Sequence, residues 1–207
     1  MPGSVISNLD TARGSPYQRG EKVVALTFDD GPSPVYTPQI LRILAAARAP
    51  ASFEIIGTLG AAYPGILRAE NAAGMALVNH TWTHTDLVLL LAGNWPAEVD
   101  RTSSLLRGVT GHPVRCLRPP YGLSDPEVEA QLRMRGLAEL GWDVDPSDYL
   151  RPGARVIARR VLAALHPGAT VIMHDGGGDR SQTVAALPAV IGGIRAAGYQ
   201  IVPVCAG

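Results

Sequence analysis

Two adjacent aspartates, Asp29 and Asp30, end an apolar run and precede a Gly-Pro turn in VVALTFDDGPSP. Asp-Gly-Pro is common turn chemistry, and the pair would then serve only the backbone. Two neighbouring carboxylates repel each other, however, so the pKa of at least one rises unless a cation lies beside it. A bound metal would supply that cation, with Asp30 as a ligand and Asp29 as a base near the metal-activated water.

Two histidines, His80 and His84, lie four residues apart in NHTWTH. On a helical turn, this spacing would place both imidazoles on one face, close enough to share a metal. With Asp30 they make three protein ligands, the number typical of a catalytic zinc site that keeps one position open for water. We therefore predict a divalent metal held by Asp30, His80 and His84. Zinc suits this donor set best, and cobalt, nickel or iron would also bind it.

Short apolar runs alternate with Ala-rich stretches of helical length along the chain. The predicted strands are VVALTFD, ASFEIIG, ALVNHTW, VRCLRPP, AELGWDVD, TVIMHD and YQIVPV. This alternation predicts parallel strands with helical crossovers, as found in an open doubly wound sheet or a closed barrel. Polar residues at the carboxyl ends of at least five strands favour the barrel, in which those ends meet at one rim. We predict an α/β fold, a distorted and incomplete (β/α) barrel of about seven units, similar to a TIM barrel.

The composition indicates one globular domain with a neutral surface. Of 207 residues, 46% are hydrophobic and 17% are charged, and the formal net charge is zero. Such a chain buries a substantial core and lacks the basic footprint of nucleic-acid or anionic-membrane binding. No apolar run reaches the length of a membrane span. We predict an N-terminal arm or linker over residues 1–20 and a single catalytic domain over residues 21–207, and the sequence leaves the oligomeric state open.

Cysteine usage and the N-terminus leave the cellular location open. Cys116 and Cys205 lie far apart without CxxC spacing, and they fit either buried thiols or one bridge. The first twenty residues lack the charged start and hydrophobic middle of a signal peptide. We expect a secreted or cell-envelope protein if a signal or domain has been removed, and a cytoplasmic one otherwise.

Five ordered segments, TFDDGP, HTWTH, RPPYG, WDVDPSDY and IMHD, resemble the motifs of the polysaccharide deacetylase family. This family is also described by its NodB homology domain and as carbohydrate esterase family 4. The segments run from Thr27 to Asp175 and so span most of the chain. The resemblance implies a distorted (β/α) barrel and metal-dependent removal of acetyl groups from sugars.

The resemblance also implies roles for individual catalytic residues. Asp29 matches the catalytic base, and Arg118 in RPPYG matches the arginine that orients it. The backbone N–H of Tyr121 matches the oxyanion donor. His174 in IMHD matches the general acid, and Asp148 matches the aspartate that tethers this histidine. Asp30, His80 and His84 match the metal ligands already inferred from the residues.

Four further residues are predicted to contact substrate. Tyr149 stands where the family more often has tryptophan, and Ile172 stands at the leucine position that lines the acetyl pocket. Trp82 either packs in the core or lines a sugar groove, and Pro119 belongs to the RPPYG turn. Glu54 departs from the family, because similar proteins usually carry an aromatic or apolar residue there. Since a buried unpaired carboxylate is costly, we expect Glu54 to face a polar partner or to mark a local adjustment of the site.

The sequence thus predicts a metal-dependent deacetylase that hydrolyses N-acetyl groups of N-acetylglucosamine-containing glycans, such as chitooligosaccharides or peptidoglycan. Metal-activated water would attack, with Asp29 as base and His174 as acid. Three alternatives remain open: an O-acetyl esterase acting on acetylated xylan, a deacylase of a small acylated metabolite, and a glycan-binding module without activity. The motifs alone do not separate amide from ester substrates.

Overall fold

The computed structural model describes residues 20–205 and, before them, Val5, Ile6, Leu9 and Tyr17. Most of the predicted arm therefore lies outside the described residues, and its role as an arm or linker stays a prediction. Within it, the two-residue strand β1 (Val5–Ile6) pairs in parallel with Glu139 and Leu140. Leu9 is buried against the same side of the barrel as Val23.

The described residues form eight strands that all pair in parallel within one sheet. After β1 come β2 (Val23–Gly31), β3 (Ser52–Ile55), β4 (Ala76–Asn79), β5 (Cys116–Leu117), β6 (Ala138–Leu140), β7 (Ala169–His174) and β8 (Gln200–Val202). Their order is β1-β6-β5-β4-β3-β2-β7, and β8 pairs with the first residues of β2. Strands β2 to β8 coincide with the seven predicted runs, so the parallel β/α prediction is confirmed.

Seven α-helices connect these strands in the part of the chain that the structure describes. They are α1 (Thr37–Ala47), α2 (Gly57–Ala62), α3 (Pro64–Ala72), α4 (Arg101–Thr110), α5 (Pro126–Met134), α6 (Ala154–Ala163) and α7 (Ser181–Ala196). Proline lies in the first turn of α1, α3 and α5, where its missing N–H costs nothing. The Asp125 carboxylate caps α5 by accepting the Val128 N–H at 2.8 Å. Among the described helices, none has the length and apolar character needed to cross a bilayer.

Between strands β6 and β7, the barrel is closed by contacts from the loop after β6 instead of a strand ladder. Strands β6 and β7 share no ladder, and Val144, in the loop after β6, forms one parallel bridge with Val171. The Val144 carbonyl accepts the Ile172 N–H at 3.0 Å, and the Val144 N–H donates to Thr170 at 3.2 Å. The prediction of an incomplete, distorted barrel is therefore confirmed. One bridge in place of a ladder leaves the rim open beside His174, where the pocket described below lies.

The alternation of side chains along β2 explains how polar groups reach the rim. The residues of β2 that pack in the larger apolar cluster with the helices are Val24, Leu26 and Phe28. Val23 and Ala25 belong to the second cluster, which fills the barrel interior. Because strand side chains alternate between faces, Thr27 and Asp29 continue the interior row toward the carboxyl end. The same strand thus supplies the core and the first candidate catalytic residue.

A disulfide joins Cys116 of β5 to Cys205, which follows β8. The two Cα atoms are 5.9 Å apart, and the residues are separated by 89 positions in sequence. Of the two alternatives left open by the sequence, the structure has the bridge. It links the C-terminal end of the described chain to the middle of the barrel wall.

We expect the double variant Cys116→Ser/Cys205→Ser to unfold more easily than the oxidised protein. Closing a long loop restricts the unfolded chain, and removal of such a bridge typically costs about 2–4 kcal/mol. Urea denaturation followed by circular dichroism measures this difference. A reductant should lower the midpoint of the wild type and leave that of the double variant unchanged. Equal midpoints for the oxidised wild type and the variant would contradict the stabilising role.

Candidate active site

The predicted site residues gather around one pocket at the carboxyl ends of the strands. Its volume is about 440 Å³. Eight of the predicted residues line it: Asp29, Asp30, His80, His84, Tyr121, Tyr149, Ile172 and His174. Arg118 and Asp148 lie behind this lining, where their side chains contact Asp29 and His174 respectively. Ten residues from five separate segments of the sequence therefore form one constellation.

The candidate metal ligands form a compact group. Nε2 of His84 lies 3.1 Å from Oδ1 of Asp30, and Nε2 of His80 lies 3.4 Å from the same oxygen. One ligand atom from each residue lies within 4.8 Å of the others. Burial opposes the charge of Asp30, yet its contacts with the two imidazoles hold the pKa of this carboxyl well below its usual range. The Asp30 carboxylate and one nitrogen from each imidazole thus lie close enough together to bind one cation.

The two histidines meet without lying on a helical turn. Both fall in a loop after β4, and Thr81 and His84 have φ values of 63° and 62°. Local side-chain bonds replace the helical ones: Asn79 Oδ1 accepts the Thr81 N–H at 2.8 Å. The Glu98 carboxylate accepts the N–H groups of residues 82 and 83 at 3.1 and 2.9 Å. Such bonds let short polar side chains compete with helix formation.

The surroundings of His80 fit a metal-binding role. Its ring is 1% exposed, and Nδ1 lies 2.8 Å from the carbonyl oxygen of Arg118. Since a carbonyl only accepts, Nδ1 carries the proton in this contact and Nε2 is free to bind a cation beside Asp30. Metal-ligating histidines usually have such a partner for the second nitrogen. Two imidazoles and one carboxylate, with one imidazole fixed in this way, therefore fit a zinc-type ion.

Arg118 holds Asp29 from inside the barrel. The guanidinium is fully buried, and Nη1 contacts Oδ1 of Asp29 and bonds Thr27 Oγ1 at 2.9 Å. Nη2 donates to the carbonyl of Gly141 at 2.9 Å, and Nε donates to that of Leu140 at 3.4 Å. Bonds on all three nitrogens leave the guanidinium little freedom to rotate. Asp29 is therefore fixed by a partner that is itself fixed by the barrel wall.

Asp148 holds His174, which lies in register with Asp29 on the neighbouring strand β7. Oδ1 of Asp148 lies 2.7 Å from Nδ1 of His174, and Oδ2 accepts the His174 backbone N–H at 2.9 Å. The Thr183 hydroxyl also donates to Oδ2, at 2.7 Å. Burial works against the charge of His174, but the hydrogen bond and the charge of Asp148 raise its pKa. Burial likewise opposes the charge of Asp148, and the same contacts lower the pKa of that carboxyl.

The remaining predicted residues occupy different surroundings. Tyr121 is 65% exposed at the pocket mouth, and its φ of 63° places it in the left-handed region. Tyr149 contacts His174 edge-on, with ring centroids 5.6 Å apart. Trp82 and Pro119 do not line the pocket: Trp82 packs on Gly57, with the Arg101 guanidinium 3.7 Å from its ring centroid. Pro119 is buried in the turn and accepts the Gly122 N–H at 3.0 Å. Their contact with substrate stays a prediction.

Four residues outside the predicted set of site residues also line the pocket. They are Gly122, Trp142, Asp145 and Arg180. Arg180 is 5% exposed, and its Nε donates to the carbonyl of Gly176 at 2.6 Å. A Cβ at Gly176 would overlap the backbone of Asp30, which shows how closely the two loops approach. The run GGGDR after IMHD was the available signal, because consecutive glycines often mark a close backbone approach.

Comparison with known proteins identifies the family. The family model for polysaccharide deacetylases matches residues 17–140. The chain is 40% identical over 196 residues to a chitooligosaccharide deacetylase from Bradyrhizobium sp. (strain ANU 289), covering 89% of this chain and 90% of that protein. It is 34% identical over 192 residues to a peptidoglycan-N-acetylglucosamine deacetylase from Bacillus cereus, covering 89% and 87%.

A solved structure agrees with these matches. A peptidoglycan N-acetylglucosamine deacetylase, crystallised with a naphthyl-substituted N-hydroxybenzamide, superposes with a TM-score of 0.86 at 28% identity. The superposition covers 89% of this chain and 86% of that one. Fold, sequence and pocket therefore lead to the same assignment, and the family implied by the five motifs is confirmed. The chain belongs to the polysaccharide deacetylase family, the NodB-like carbohydrate esterases of family 4.

Proposed function

We propose that this protein is a metal-dependent deacetylase that removes N-acetyl groups from N-acetylglucosamine-containing glycans. One observation carries the proposal: Asp29, the group of Asp30, His80 and His84, and His174 line the same pocket. Base, metal ligands and acid are the three elements needed for amide hydrolysis by water. The relatives named as chitooligosaccharide and peptidoglycan deacetylases support the choice of an N-acetylated sugar.

Asp30, His80 and His84 are the residues that would hold the divalent metal, with zinc the best fit to their donor set. When bound, such an ion acidifies water and withdraws electron density from a carbonyl oxygen. The protein itself orients the three ligand side chains. Asp30 lies between the two imidazoles, and the Arg118 carbonyl fixes the tautomer of His80.

Asp29 is the proposed general base. Its carboxylate faces the pocket beside the candidate metal ligands, with Oδ2 3.8 Å from Nε2 of His80. Arg118 occupies Oδ1, so Oδ2 remains the oxygen that can accept a proton from the attacking water. As the water oxygen bonds to the acetyl carbon, the proton passes to Asp29 and the carbonyl oxygen becomes negative. The backbone N–H of Tyr121, at the pocket mouth, is the proposed donor to that oxygen.

His174 is the proposed general acid. Nδ1 faces Asp148, so Nε2 is the nitrogen available to the substrate. As the tetrahedral adduct breaks its C–N bond, His174 gives a proton to the departing amine, and acetate and the free amino sugar result. The negative charge of Asp148 favours the imidazolium form that this step requires. Ile172, Tyr149 and Trp142 supply apolar walls for the acetyl group and sugar.

The disulfide supports a location outside the cytoplasm. Bridges such as Cys116–Cys205 persist in oxidising compartments and are rare in reducing ones. Peptidoglycan or exported oligosaccharides would be accessible there. We therefore include secretion or the cell envelope in the proposal.

We expect the protein to release acetate from N-acetylglucosamine oligomers, and chelation to abolish this activity. Removal of the ion leaves the water without activation, and zinc should restore the rate. Acetate release from the oligomers and from acetylated xylan, measured side by side, tests both the metal and the bond cleaved. A chelated enzyme with undiminished activity would refute metal dependence. Faster release from xylan would favour the esterase alternative, and no release from either metal-loaded assay would refute the proposal.

Asp29→Asn should lower kcat by about 10²- to 10⁴-fold, the range expected for loss of a general base. The amide keeps the size of the carboxylate but cannot take the proton from water. Acetate release measures the loss, and metal analysis provides the control, because Asp30, His80 and His84 remain intact. Retention of bound zinc with wild-type activity would eliminate Asp29 as the base.

Asp148→Asn should move the alkaline limb of the pH–rate profile to lower pH by about one unit. The acid must be protonated, and Asp148 raises the pKa of His174, so the active form persists to higher pH in the wild type. Without that charge the His174 pKa falls, and activity is lost earlier as pH rises. Asp179→Asn is the matched control, because Asp179 bonds Tyr36 and Arg151 instead. An unmoved limb in Asp148→Asn would contradict this role.

A further inference from the structure

Glu54 lies inside the barrel, directly behind the proposed base. Its neighbours in β3, Phe53 and Ile55, pack in the cluster between sheet and helices. Alternation therefore directs Glu54 to the opposite, interior face. The carboxyl group is completely buried, and its Oε2 lies 3.5 Å from Nη1 of Arg118. This contact is the polar partner that the sequence led us to expect.

Arg118 has no hydrogen left on Nη1 for Glu54. The two N–H bonds of Nη1 are directed at Asp29 Oδ1 and Thr27 Oγ1. Thr27 gives its own hydrogen to the Val171 carbonyl at 2.8 Å, so its oxygen accepts from the guanidinium. Consistent with this count, neither oxygen of Glu54 has a hydrogen-bond donor among the described residues. An ionised Glu54 would thus be a buried charge without a hydrogen bond, which is strongly unfavourable.

Asp29 and Glu54 both approach the same nitrogen, Nη1 of Arg118, so the two carboxyl groups are neighbours inside the barrel. Two carboxyl groups form a hydrogen bond only when one of them carries the proton. Asp29 has the direct contact with the Arg118 guanidinium, whereas Oε2 of Glu54 lies 3.5 Å from Nη1 without a hydrogen bond from it. Burial raises the pKa of Glu54 well above its usual value, and Arg118 only partly opposes this effect. The proton therefore belongs to Glu54.

We propose that Glu54 is a positioning residue, a neutral carboxylic acid that donates a hydrogen bond to Asp29 and, with Arg118, fixes the orientation of that carboxylate. The inference rests on the proposed function, in which Asp29 is the base. Glu54 does not line the pocket, so it acts on the reaction only through Asp29. An apolar residue in its place leaves Asp29 held by Arg118 from one side alone.

Two substitutions at Glu54 distinguish the loss of its hydrogen-bond donor from a change in side-chain packing. In Glu54→Leu the donor is lost, and kcat should fall by about 10- to 100-fold, as expected when a charged group loses one hydrogen bond. KM should stay within about twofold, because the pocket lining is unchanged. Glu54→Gln retains an N–H donor of similar reach, and it should restore most of the lost kcat. Both are measured on the zinc-loaded full chain with N-acetylglucosamine oligomers.

Glu70→Leu is the matched control. Glu70 in α3 is also completely buried, its two oxygens also lack donors, and burial also raises its pKa well above the usual value. It shares no hydrogen bond with Asp29, so its replacement should leave kcat unchanged. Leucine at either position removes a poorly satisfied carboxyl group, and the thermal midpoint should hold or rise. Of the two leucine variants, only Glu54→Leu should therefore lose kcat while its thermal midpoint holds or rises.

Several results would overturn the inference. These are wild-type kcat in Glu54→Leu, an equal loss in Glu54→Gln and Glu54→Leu, or a similar loss in Glu70→Leu. Infrared difference spectra of wild type against Glu54→Gln test the proton without any substrate. The carbonyl band of a neutral carboxylic acid should disappear in the variant, and its absence from the wild type also overturns the inference. An inactive wild type that keeps this band would refute the proposed function while retaining the neutral Glu54.

Discussion

A single buried guanidinium determines how this barrel arranges its reactive groups. Arg118 enters from β5 with no solvent contact, and its nitrogens reach the end of β2 and the carbonyls that follow β6. A buried cation without partners is very costly, so the surrounding strands must supply acceptors. Asp29 is the one acceptor in this group that also faces the pocket. The requirement to neutralise Arg118 and the requirement to orient a base are thus met by the same contact.

The carboxyl groups around Arg118 differ in charge for the same reason, because a buried charge is costly without a partner. Many carboxyl groups lie near the rim, and they cannot all be ionised without cations. Asp30 and Asp148 have imidazole partners, and their pKa values are lowered despite burial. The Asp175 carboxyl group accepts a hydrogen bond from the Thr37 hydroxyl, and burial together with the charges of Asp30 and Asp29 raises its pKa to about 8. Asp30 and Asp148 therefore keep their charge beside imidazoles, whereas the buried Asp175 carboxyl group is mostly neutral at neutral pH.

Much of this arrangement could be predicted from the sequence, because it depends on periodicity and on motif residues. Alternating apolar runs identified strands β2 to β8, and the motifs identified the residues that meet at the rim. The sequence did not reveal the loop conformation of His80 and His84, which depends on acceptors from Glu98 in a distant segment. Nor did it reveal the bridge at Val144, since one pair of residues leaves no periodic pattern. Contacts between segments, rather than residue types, were the missing information.

Backbone strain at the rim is consistent with this dependence on distant contacts. Asp30, Thr81, His84 and Tyr121 all have φ between 62° and 70°, a region that costs non-glycine residues of order 1–3 kcal/mol each. Local side-chain propensity does not favour this conformation for threonine or tyrosine. It persists because acceptors from Asn79 and Glu98 bind the His80 loop, and because Gly176 lets a neighbouring loop contact Asp30 closely. The folding energy of the barrel therefore maintains a strained rim, which fixes the backbone that carries the candidate ligands.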